Sequence, residues 1–290
     1  MISKLENNEI KIKVDTQGAQ LQKLILKEDQ KNYLWHGDSK YWGRRAPVLF
    51  PIVGRLKNDK YLYNGQEYQM TQHGFARDNE FELVDQDKNF LTYALEENRE
   101  TLKKYPFRFR LEIKYTIKEN SLAVTYRVIN QDQKDMYFSI GAHPAFYWPL
   151  AENESKADYY LEFEKEENAD KYLLDSGLLN NEKVKVLSNS KILELQPDIF
   201  KDDALVFKDL KSEKITLKSR KSNREVQVEF NNFPYLGIWS QSAAAPFICI
   251  EPWQGIADSV NSSGKLEEKE GIKRLKAGGI FKCTHTITID

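Results

Sequence analysis

Apolar and polar residues alternate with a period of two along much of this chain. Ile10, Ile12 and Val14 would share one face of a strand, and a longer alternation runs through residues 107–115. After a turn at residues 119–121 the apolar positions resume with the same period. Because successive side chains of a strand point to opposite faces, this pattern is typical of half-buried strands joined in hairpins.

Helical patterns are few. Residues 96–104 predict a short helix that ends before Pro106, and residues 266–275 predict a turn. The segment 152–170 is rich in acidic residues, which favours a surface excursion. Many short strands without regular helices between them predict an all-β protein, either a large antiparallel sandwich or a barrel. Since no linker is evident, we expect a single domain over residues 1–290.

Composition limits the possible classes of function. Of the 290 residues, 40% are hydrophobic and 30% are charged, and the net charge is -1. These values indicate a folded globular protein and argue against a nucleic-acid partner, for which a basic stripe would be expected. No apolar run approaches the roughly 20 residues of a membrane-spanning helix. The N-terminal residues show no secretory pattern, so we expect a cytoplasmic protein with no membrane partner.

Motifs for metal or phosphate binding are not evident in the sequence. Cys249 and Cys283 lack the spacing of metal ligands, and each lies in an apolar, strand-like stretch that favours a buried free thiol. The 4 histidines are scattered without the H-x-H or H-E-x-x-H spacing of a metal site. No glycine-rich phosphate loop is present. We therefore expect no metal site.

Two short segments carry the strongest chemical signal. His143 precedes Pro144 and has small residues before it and aromatic residues after it, while Glu251 precedes Pro252 and Trp253. Proline disfavours the α conformation in the residue before it, so both side chains should lie on extended backbone. Histidine and glutamate are suited to moving protons near neutral pH, and aromatic rings suit the apolar C–H face of a sugar. We predict that His143 and Glu251 act as an acid/base pair.

A further group of residues has side chains suited to binding hydroxyl groups. Arg55 follows an apolar run and a glycine, so its guanidinium could reach into a pocket or form an ion pair with Asp59 or Asp78. His73 could bind a hydroxyl or cap a turn. Asp203 is either a turn residue or a carboxylate that binds hydroxyls.

Five blocks of the sequence, in the right order along the chain, resemble the aldose 1-epimerase (galactose mutarotase-like) family, and its LacX-type branch in particular. They are residues 46–55, 72–78, 141–146, 250–258 and 271–278. The resemblance extends over nearly the whole chain. It implies a galactose mutarotase-like β-supersandwich with few short helices, in which the sugar site is a groove across one sheet.

The resemblance also implies roles for individual residues. His143 would be the catalytic acid and Glu251 the catalytic base. Arg55, His73 and Asp203 would bind the substrate.

The activity that these residues would support is that of an aldose 1-epimerase, which interconverts the α and β anomers of a hexose or hexose phosphate by ring opening. Glu251 would take the proton of the C1 hydroxyl, while a protonated His143, its pKa raised by the carboxylate, would protonate the ring oxygen. Trp148 or Trp253 would stack on the C–H face of the sugar. This chemistry needs no cofactor, and we expect a small-molecule sugar as substrate and a monomer or homodimer.

Other classes of function use similar residues. A non-catalytic carbohydrate-binding protein on the same fold would keep the aromatic residues without needing the proton-transfer pair. A glycoside hydrolase would need two carboxylates, for which Glu251 and Asp203 qualify. A phosphosugar epimerase, which is a variant of the main hypothesis, would need a cationic subsite, and Arg44, Arg45 and Arg77 are candidates for it.

Overall fold

Strands dominate the structure, a computed structural model that describes residues 1–290 apart from the side chain of Asn181. The strands are, in chain order, β1 (Ile2–Glu6), β2 (Ile10–Asp15), β3 (Gln20–Leu26), β4 (Lys31–Asn32), β5 (Val48–Leu49), β6 (Lys60–Tyr63), β7 (Gln66–Gln69), β8 (Glu82–Asp87), β9 (Phe90–Glu96), β10 (Phe109–Lys118), β11 (Ser121–Asn130), β12 (Met136–Phe138), β13 (Ile140–Ala142), β14 (Ala145–Tyr147), β15 (Tyr159–Glu167), β16 (Asp170–Asp175), β17 (Leu178–Lys185), β18 (Ser190–Glu194), β19 (Leu205–Lys208), β20 (Lys214–Ser219), β21 (Glu225–Glu229), β22 (Tyr235–Trp239), β23 (Phe247–Gln254), β24 (Lys273–Leu275) and β25 (Ile280–Ile289). The helical segments are α1 (Arg99–Lys104) and short 3₁₀ turns at Lys57–Asp59, Ala76–Asp78, Lys156–Asp158 and Leu266–Glu268.

One antiparallel sheet contains nine strands in the order β18-β15-β20-β21-β25-β11-β10-β9-β8. The β10–β11 hairpin, in which Lys118 pairs with Ser121, confirms the first predicted hairpin. β20 and β21 form another antiparallel hairpin. The C-terminal strand β25 pairs with one strand of each hairpin and so joins them.

A second sheet, called here the site sheet, has the order β17-β16-β19-β22-β23-β13-β5, and β14 also pairs with β23. Every residue of β23 is buried. Both faces of this strand are therefore covered, one by the core and the other by the residues of the candidate site. Smaller sheets are formed by β1 to β4, by β6 with β7 and by β12 with β24.

The main hydrophobic core lies between the nine-stranded sheet and the site sheet. Leu111 and Ile113 of β10 belong to the same buried cluster as Ile248 and Ile250 of β23. Cys249 lies between those two isoleucines in the sequence and belongs to a different cluster. Period-two alternation thus sends every second side chain of β23 to the outer face of the site sheet, away from the core.

The predicted all-β fold is confirmed, and so is the predicted short helix. The helix α1 begins after Asn98, whose side-chain oxygen accepts hydrogen bonds from the backbone N–H groups of Glu100 and Thr101. Such a cap satisfies amide groups that have no partner inside the helix. The helix ends before Pro106, as predicted. No helix among the described residues has the length and apolar character needed to cross a membrane.

The prediction of a surface excursion over residues 152–170 is wrong. This segment contains β15, an inner strand of the nine-stranded sheet that pairs with both β18 and β20. Tyr159, Leu161 and Phe163 are buried in the main core. The acidic residues alternate with these apolar residues, so a count of charges over the segment concealed a half-buried strand.

Candidate functional site

The pairing of β23 with β13 and β14 positions the two predicted catalytic residues. β13 pairs Gly141 with Trp253, and β14 pairs Ala145 with Cys249. The same antiparallel register holds on both sides of the break between β13 and β14. His143, which lies in this break, is therefore directly opposite Glu251. Residues opposite each other in an antiparallel pair have Cβ atoms about 4.5–5.5 Å apart, so strand register alone brings the two side chains together.

A cavity of about 380 Å³ opens on the outer face of the site sheet at this point. Its volume falls in the range of about 300–1,000 Å³ that is usual for small-molecule sites. Polar, aromatic and small apolar residues all contribute to its wall. The lining residues are Trp42, Gly54, Gln72, His73, Arg77, His143, Leu174, Gly177, Leu179, Asp203, Ala204, Val206, Trp239, Glu251, Trp253, Ile256 and Ala257.

His143 and Glu251 form a close, buried pair in the cavity wall. His143 Nε2 lies 3.3 Å from Glu251 Oε2, and the two residues are 7% and 1% exposed. Among the described residues, neither His143 Nδ1 nor Glu251 Oε2 has a hydrogen-bond partner. Buried polar atoms usually have partners, and those that lack one often mark functional sites. The pair therefore retains hydrogen-bonding capacity that a ligand could use.

Aromatic rings fix the imidazole of His143 from two directions. The Trp42 ring stacks on it with centroids 4.7 Å apart and an interplanar angle of 24°. Trp239 meets it edge to face at 5.8 Å. His73 approaches from the cavity wall, also edge to face, at 5.6 Å. These contacts hold the ring in one orientation while leaving its edge facing Glu251.

Burial shifts the pKa values of both members of the pair. Burial, with a smaller effect of the Arg77 guanidinium, lowers the pKa of His143 to about 3. Burial raises the pKa of Glu251 well above its ordinary value. The expectation that the carboxylate raises the pKa of His143 is therefore wrong, because desolvation of the charged imidazolium outweighs the attraction. Burial favours the uncharged form of each group, which is the imidazole for His143 and the carboxylic acid for Glu251.

His73 is held at the cavity by a specific backbone arrangement. The ring Nδ1 of His73 accepts a hydrogen bond from the backbone N–H of Gly54 at 3.2 Å. The backbone N–H of His73 donates to the Gly54 carbonyl at 2.9 Å. Because Nδ1 is an acceptor, the neutral ring carries its proton on Nε2 and can act as a donor. Burial lowers the pKa of His73 well below its ordinary value, which keeps the ring neutral. Gly54 has a φ of 74°, and a side chain there would strike Ala257.

Trp253 forms part of the cavity floor because two neighbouring strands carry glycine. A Cβ atom added to Gly141 would lie 2.6 Å from Trp253 Cδ1, and one added to Gly237 would lie 2.4 Å from Cζ2 and Cη2. Gly141 is on β13 and Gly237 is on β22, on opposite sides of β23. The indole therefore rests against bare backbone on both sides, where a larger residue would lift it into the cavity.

Asp203 lines the cavity, whereas Arg55 stands beside it. Asp203 is exposed, with a φ of 75°, and its Oδ1 accepts a hydrogen bond from the next backbone N–H. The Arg55 guanidinium donates two hydrogen bonds to the Asp59 carboxylate, at 2.9 and 2.8 Å, and a third to the Ser176 carbonyl. Of the two alternatives for Arg55, the structure has the ion pair with Asp59. Its side chain borders Gly177, which is itself part of the lining.

Trp148 does not line this cavity. Its ring therefore does not lie where it could stack on a ligand there, contrary to the expectation from the sequence. Alternation in β14 sends Phe146 and Trp148 to the core face of the site sheet. The ring lies instead near Lys156, whose Nζ is 4.5 Å from its centroid, and Phe200, in a different cavity. Of the two tryptophans named from the sequence, Trp253 alone lines the cavity beside His143.

Sequence reasoning did not identify Trp42 and Trp239 as site residues. Trp42 lies in an irregular segment, for which periodicity carries no information. Trp239 is the last residue of β22 and pairs with Cys249 on the adjacent strand β23. Its place in the site therefore depends on the register between two strands, which no local sequence pattern reveals. Among the three arginines named as a possible cationic subsite, Arg77 alone lines the cavity.

Arg77 lines the cavity, and one N–H group of its guanidinium, at Nε, has no hydrogen-bond partner among the described residues. Its Nη2 donates to the Gln72 carbonyl at 2.7 Å, but its Nε lies 3.9 Å from Asp78 Oδ2, which is too far for a hydrogen bond. Burial lowers the pKa of Arg77 to about 10, so the group is still charged near neutral pH. Arg44 instead donates to Asp78 at 2.8 Å, and Arg45 is bound to the His36 carbonyl.

One group of side chains in the site has the donor types of a metal centre. His143, Cys249 and Glu251 each offer one ligand atom, and these three atoms lie within 4.8 Å of one another. Local spacing places Cys249 and Glu251 on one face of β23, whereas strand pairing, which the sequence does not reveal, adds His143 to them.

Comparison with known proteins shows relatives over the full length of the chain. The family model described as Aldose 1-epimerase matches residues 1–270. The plasmid and chromosomal forms of Protein LacX from Lactococcus lactis subsp. lactis are each 37% identical to this chain over 298 residues, covering 100% of it and 99% of the relative.

Solved structures also resemble this fold closely. A galactose mutarotase related enzyme from Lactobacillus acidophilus is 37% identical, with a TM-score of 0.96 over 100% of this chain and 97% of the other. A galactose mutarotase-like protein from Lactobacillus casei ATCC 334 is 32% identical, with a TM-score of 0.94 over 100% of both chains. The predicted galactose mutarotase-like fold is thus confirmed. With a family match over most of the sequence and relatives of the same length, this chain belongs to the aldose 1-epimerase family.

Proposed function

We propose that this protein is an aldose 1-epimerase that interconverts the α and β anomers of a hexose or hexose phosphate. The observation that carries the proposal is the buried pair of His143 Nε2 and Glu251 Oε2, 3.3 Å apart in the wall of a small-molecule cavity. Anomerisation requires one group that gives a proton to the ring oxygen and another that takes one from the C1 hydroxyl. A histidine and a glutamate that hold one proton between them supply one proton donor and one proton acceptor, as this reaction requires.

The proton balance of the reaction matches a one-proton pair. With the proton on His143, Glu251 accepts the proton of the C1 hydroxyl while His143 donates to the ring oxygen, and the C1–O5 bond breaks to give the open-chain aldehyde. The pair then holds its proton on Glu251 instead of His143. After rotation about the C1–C2 bond, the reverse transfers close the ring on the other face of the carbonyl and restore the starting state.

Burial favours the neutral form of the pair, with the proton on Glu251. Moving the proton to His143 changes neither the number of protons nor the net charge of the pair. A bound sugar supplies hydroxyl dipoles that compensate for the lost solvation of the ion pair, which makes the charged form more accessible. Each well-placed proton transfer contributes about 10²–10⁴-fold to the rate.

The other lining residues suit the recognition of a sugar ring. His73 Nε2 and the exposed carboxylate of Asp203 can bond to hydroxyl groups, and the indole of Trp253 offers an apolar surface to the C–H face. Arg77 supplies a positive charge, and its buried Nε has no hydrogen-bond partner among the described residues. This last feature supports the inclusion of hexose phosphates in the proposal, because a buried guanidinium is well suited to a phosphate group.

Polarimetry on a panel of freshly dissolved sugars tests the proposal. We expect the protein to accelerate the approach to anomeric equilibrium of glucose, galactose or one of their 6-phosphates above the spontaneous rate. If no member of the panel is accelerated but isothermal titration calorimetry detects binding of one of them, the protein is a carbohydrate-binding protein and the proposal is wrong.

A further inference from the structure

Three potential ligands of a transition metal converge at the base of the cavity. Cys249 and Glu251 are two residues apart on β23, so their side chains leave the same face of the strand. His143 is directly opposite Glu251 on the neighbouring chain segment. The Cys249 sulfur, the His143 nitrogen and a Glu251 oxygen all lie within 4.8 Å of one another, and all three residues are buried.

From this cluster we propose that His143, Cys249 and Glu251 form a binding site for one Zn²⁺ ion. Nitrogen, thiolate and carboxylate ligands are the three types that zinc accepts, and three protein ligands with an open fourth position are an established arrangement for it. Binding of the ion would occupy the lone pairs of His143 and Glu251, so Zn²⁺ is an inhibitor of the proton-transfer pair. The inhibition rests on the proposed function, whereas the binding does not.

The separation of the ligand atoms fits a tetrahedral ion. Zinc–nitrogen and zinc–oxygen bonds of about 2.0–2.2 Å at a tetrahedral angle place the two ligand atoms about 3.3–3.5 Å apart. His143 Nε2 and Glu251 Oε2 are 3.3 Å apart, which lies within this range. The sulfur lies at most 4.8 Å from the other two ligand atoms, so a zinc–sulfur bond of about 2.3 Å requires it to move closer by about 1 Å from that limit.

The sulfur of Cys249 lies among buried side chains on the outer face of β23. Its pairing partners are Ala145 on one side and Trp239 on the other, and Phe247 packs in the same cluster. Glu251 Oε2 lacks a hydrogen-bond partner among the described residues, so ligation breaks no bond there. The open fourth position of the ion would face the cavity, because both His143 and Glu251 line it. When the ion binds, the thiol proton of Cys249 and the proton that the His143–Glu251 pair holds are both released to solvent.

The other cysteine provides a matched control. Cys283 is also buried, but it lies on β25 of the nine-stranded sheet, where it pairs with Tyr126. Replacing Cys283 removes a buried thiol of the same kind without altering the cluster. Cys249→Ser and Cys283→Ser therefore differ in whether the proposed ligand is lost.

Zinc titration by calorimetry on protein freed of any histidine tag tests the site directly. We expect one Zn²⁺ ion per chain in the wild type and in Cys283→Ser, with weaker binding in Cys249→Ser. Loss of an outer-shell partner of a metal ligand lowers metal affinity by about 10–100-fold. Loss of the ligand Cys249 itself should lower the Zn²⁺ affinity by at least as much. Equal Zn²⁺ affinity in Cys249→Ser and the wild type would overturn the proposal, as would the absence of stoichiometric binding in the wild type.

Cobalt spectroscopy on the unmutated protein keeps the test independent of whether a variant folds. Co²⁺ bound at this site should give a thiolate-to-cobalt charge-transfer band and the intense visible bands of a tetrahedral ion, and added Zn²⁺ should abolish both. A Co²⁺ complex without the thiolate band would contradict ligation by Cys249. These readouts do not depend on catalysis, so they remain decisive even if the protein shows no epimerase activity.

Discussion

The replacement Gly237→Ala should damage the cavity floor without altering any residue of the proton-transfer pair. The added Cβ would lie 2.4 Å from Trp253 Cζ2 and Cη2. Since favourable carbon–carbon contacts lie at about 3.5–4.0 Å, the indole or the strand must move by about 1 Å. Gly141 closes the other side of the ring with backbone, so the direction left for the indole is into the cavity.

Overpacking of this kind typically destabilises a protein by about 1–3 kcal/mol. For a chain of this size, a loss of that magnitude corresponds to a fall in Tm of about 2–10 °C. We also expect KM for the sugar to rise, because the lifted indole of Trp253 reduces the space that the substrate occupies. Calorimetric melting measures the first effect, and polarimetry at several substrate concentrations measures the second.

A double-mutant cycle separates this mechanism from a general effect of alanine in the strand. Trp253→Phe removes the six-membered part of the indole that contains Cζ2 and Cη2. In the Trp253→Phe background, Gly237→Ala should therefore cost much less stability than in the wild type. An equal cost in both backgrounds, or a Gly237→Ala variant with wild-type Tm and KM, would refute the explanation of the cavity floor.

Three further predictions follow from the site. Because burial lowers the pKa of His143 to about 3, kcat/KM should fall on the acid side only near pH 3, when a second proton enters the pair. An acid limb near the ordinary histidine pKa of about 6.5 would contradict this. Arg77→Gln should lower kcat/KM for a hexose 6-phosphate by about 10–100-fold, the value of a charged hydrogen bond, and should affect the unphosphorylated hexose less; equal losses on both sugars would exclude a phosphate role. Trp148→Phe should lower Tm and leave kcat/KM close to the wild type, since the ring lies in the core and outside the cavity; a large selective loss of kcat/KM would show that its position has been misjudged.

The sequence predicted the parts of the fold that depend on local alternation. The hairpin of β10 and β11 follows from a period of two, and the structure has it. The same rule, applied from Phe146, would have placed Trp148 on the core face. Aromatic character alone does not determine which face of the sheet Trp148 occupies, whereas the alternation does.

The features that the sequence could not supply depend on long-range pairing and on burial. The meeting of His143 with Glu251 follows from a register between strands more than 100 positions apart, and neither segment encodes that register locally. Trp42 enters the site from an irregular segment. The direction of the pKa shift of His143 depends on how much water reaches the ring, which only the three-dimensional arrangement determines.

The central claim is that one proton shared by His143 and Glu251 catalyses anomerisation, and the rate of the Glu251→Gln variant tests it most directly. Glutamine keeps the shape of the side chain but cannot exchange a proton, and Glu166→Gln, at an exposed position outside the cavity, is the matched control. With folding verified by circular dichroism, polarimetry on the best substrate of the panel should show kcat/KM lower by about 10²–10⁴-fold in Glu251→Gln and unchanged in Glu166→Gln. A folded Glu251→Gln protein with the wild-type rate would contradict the account.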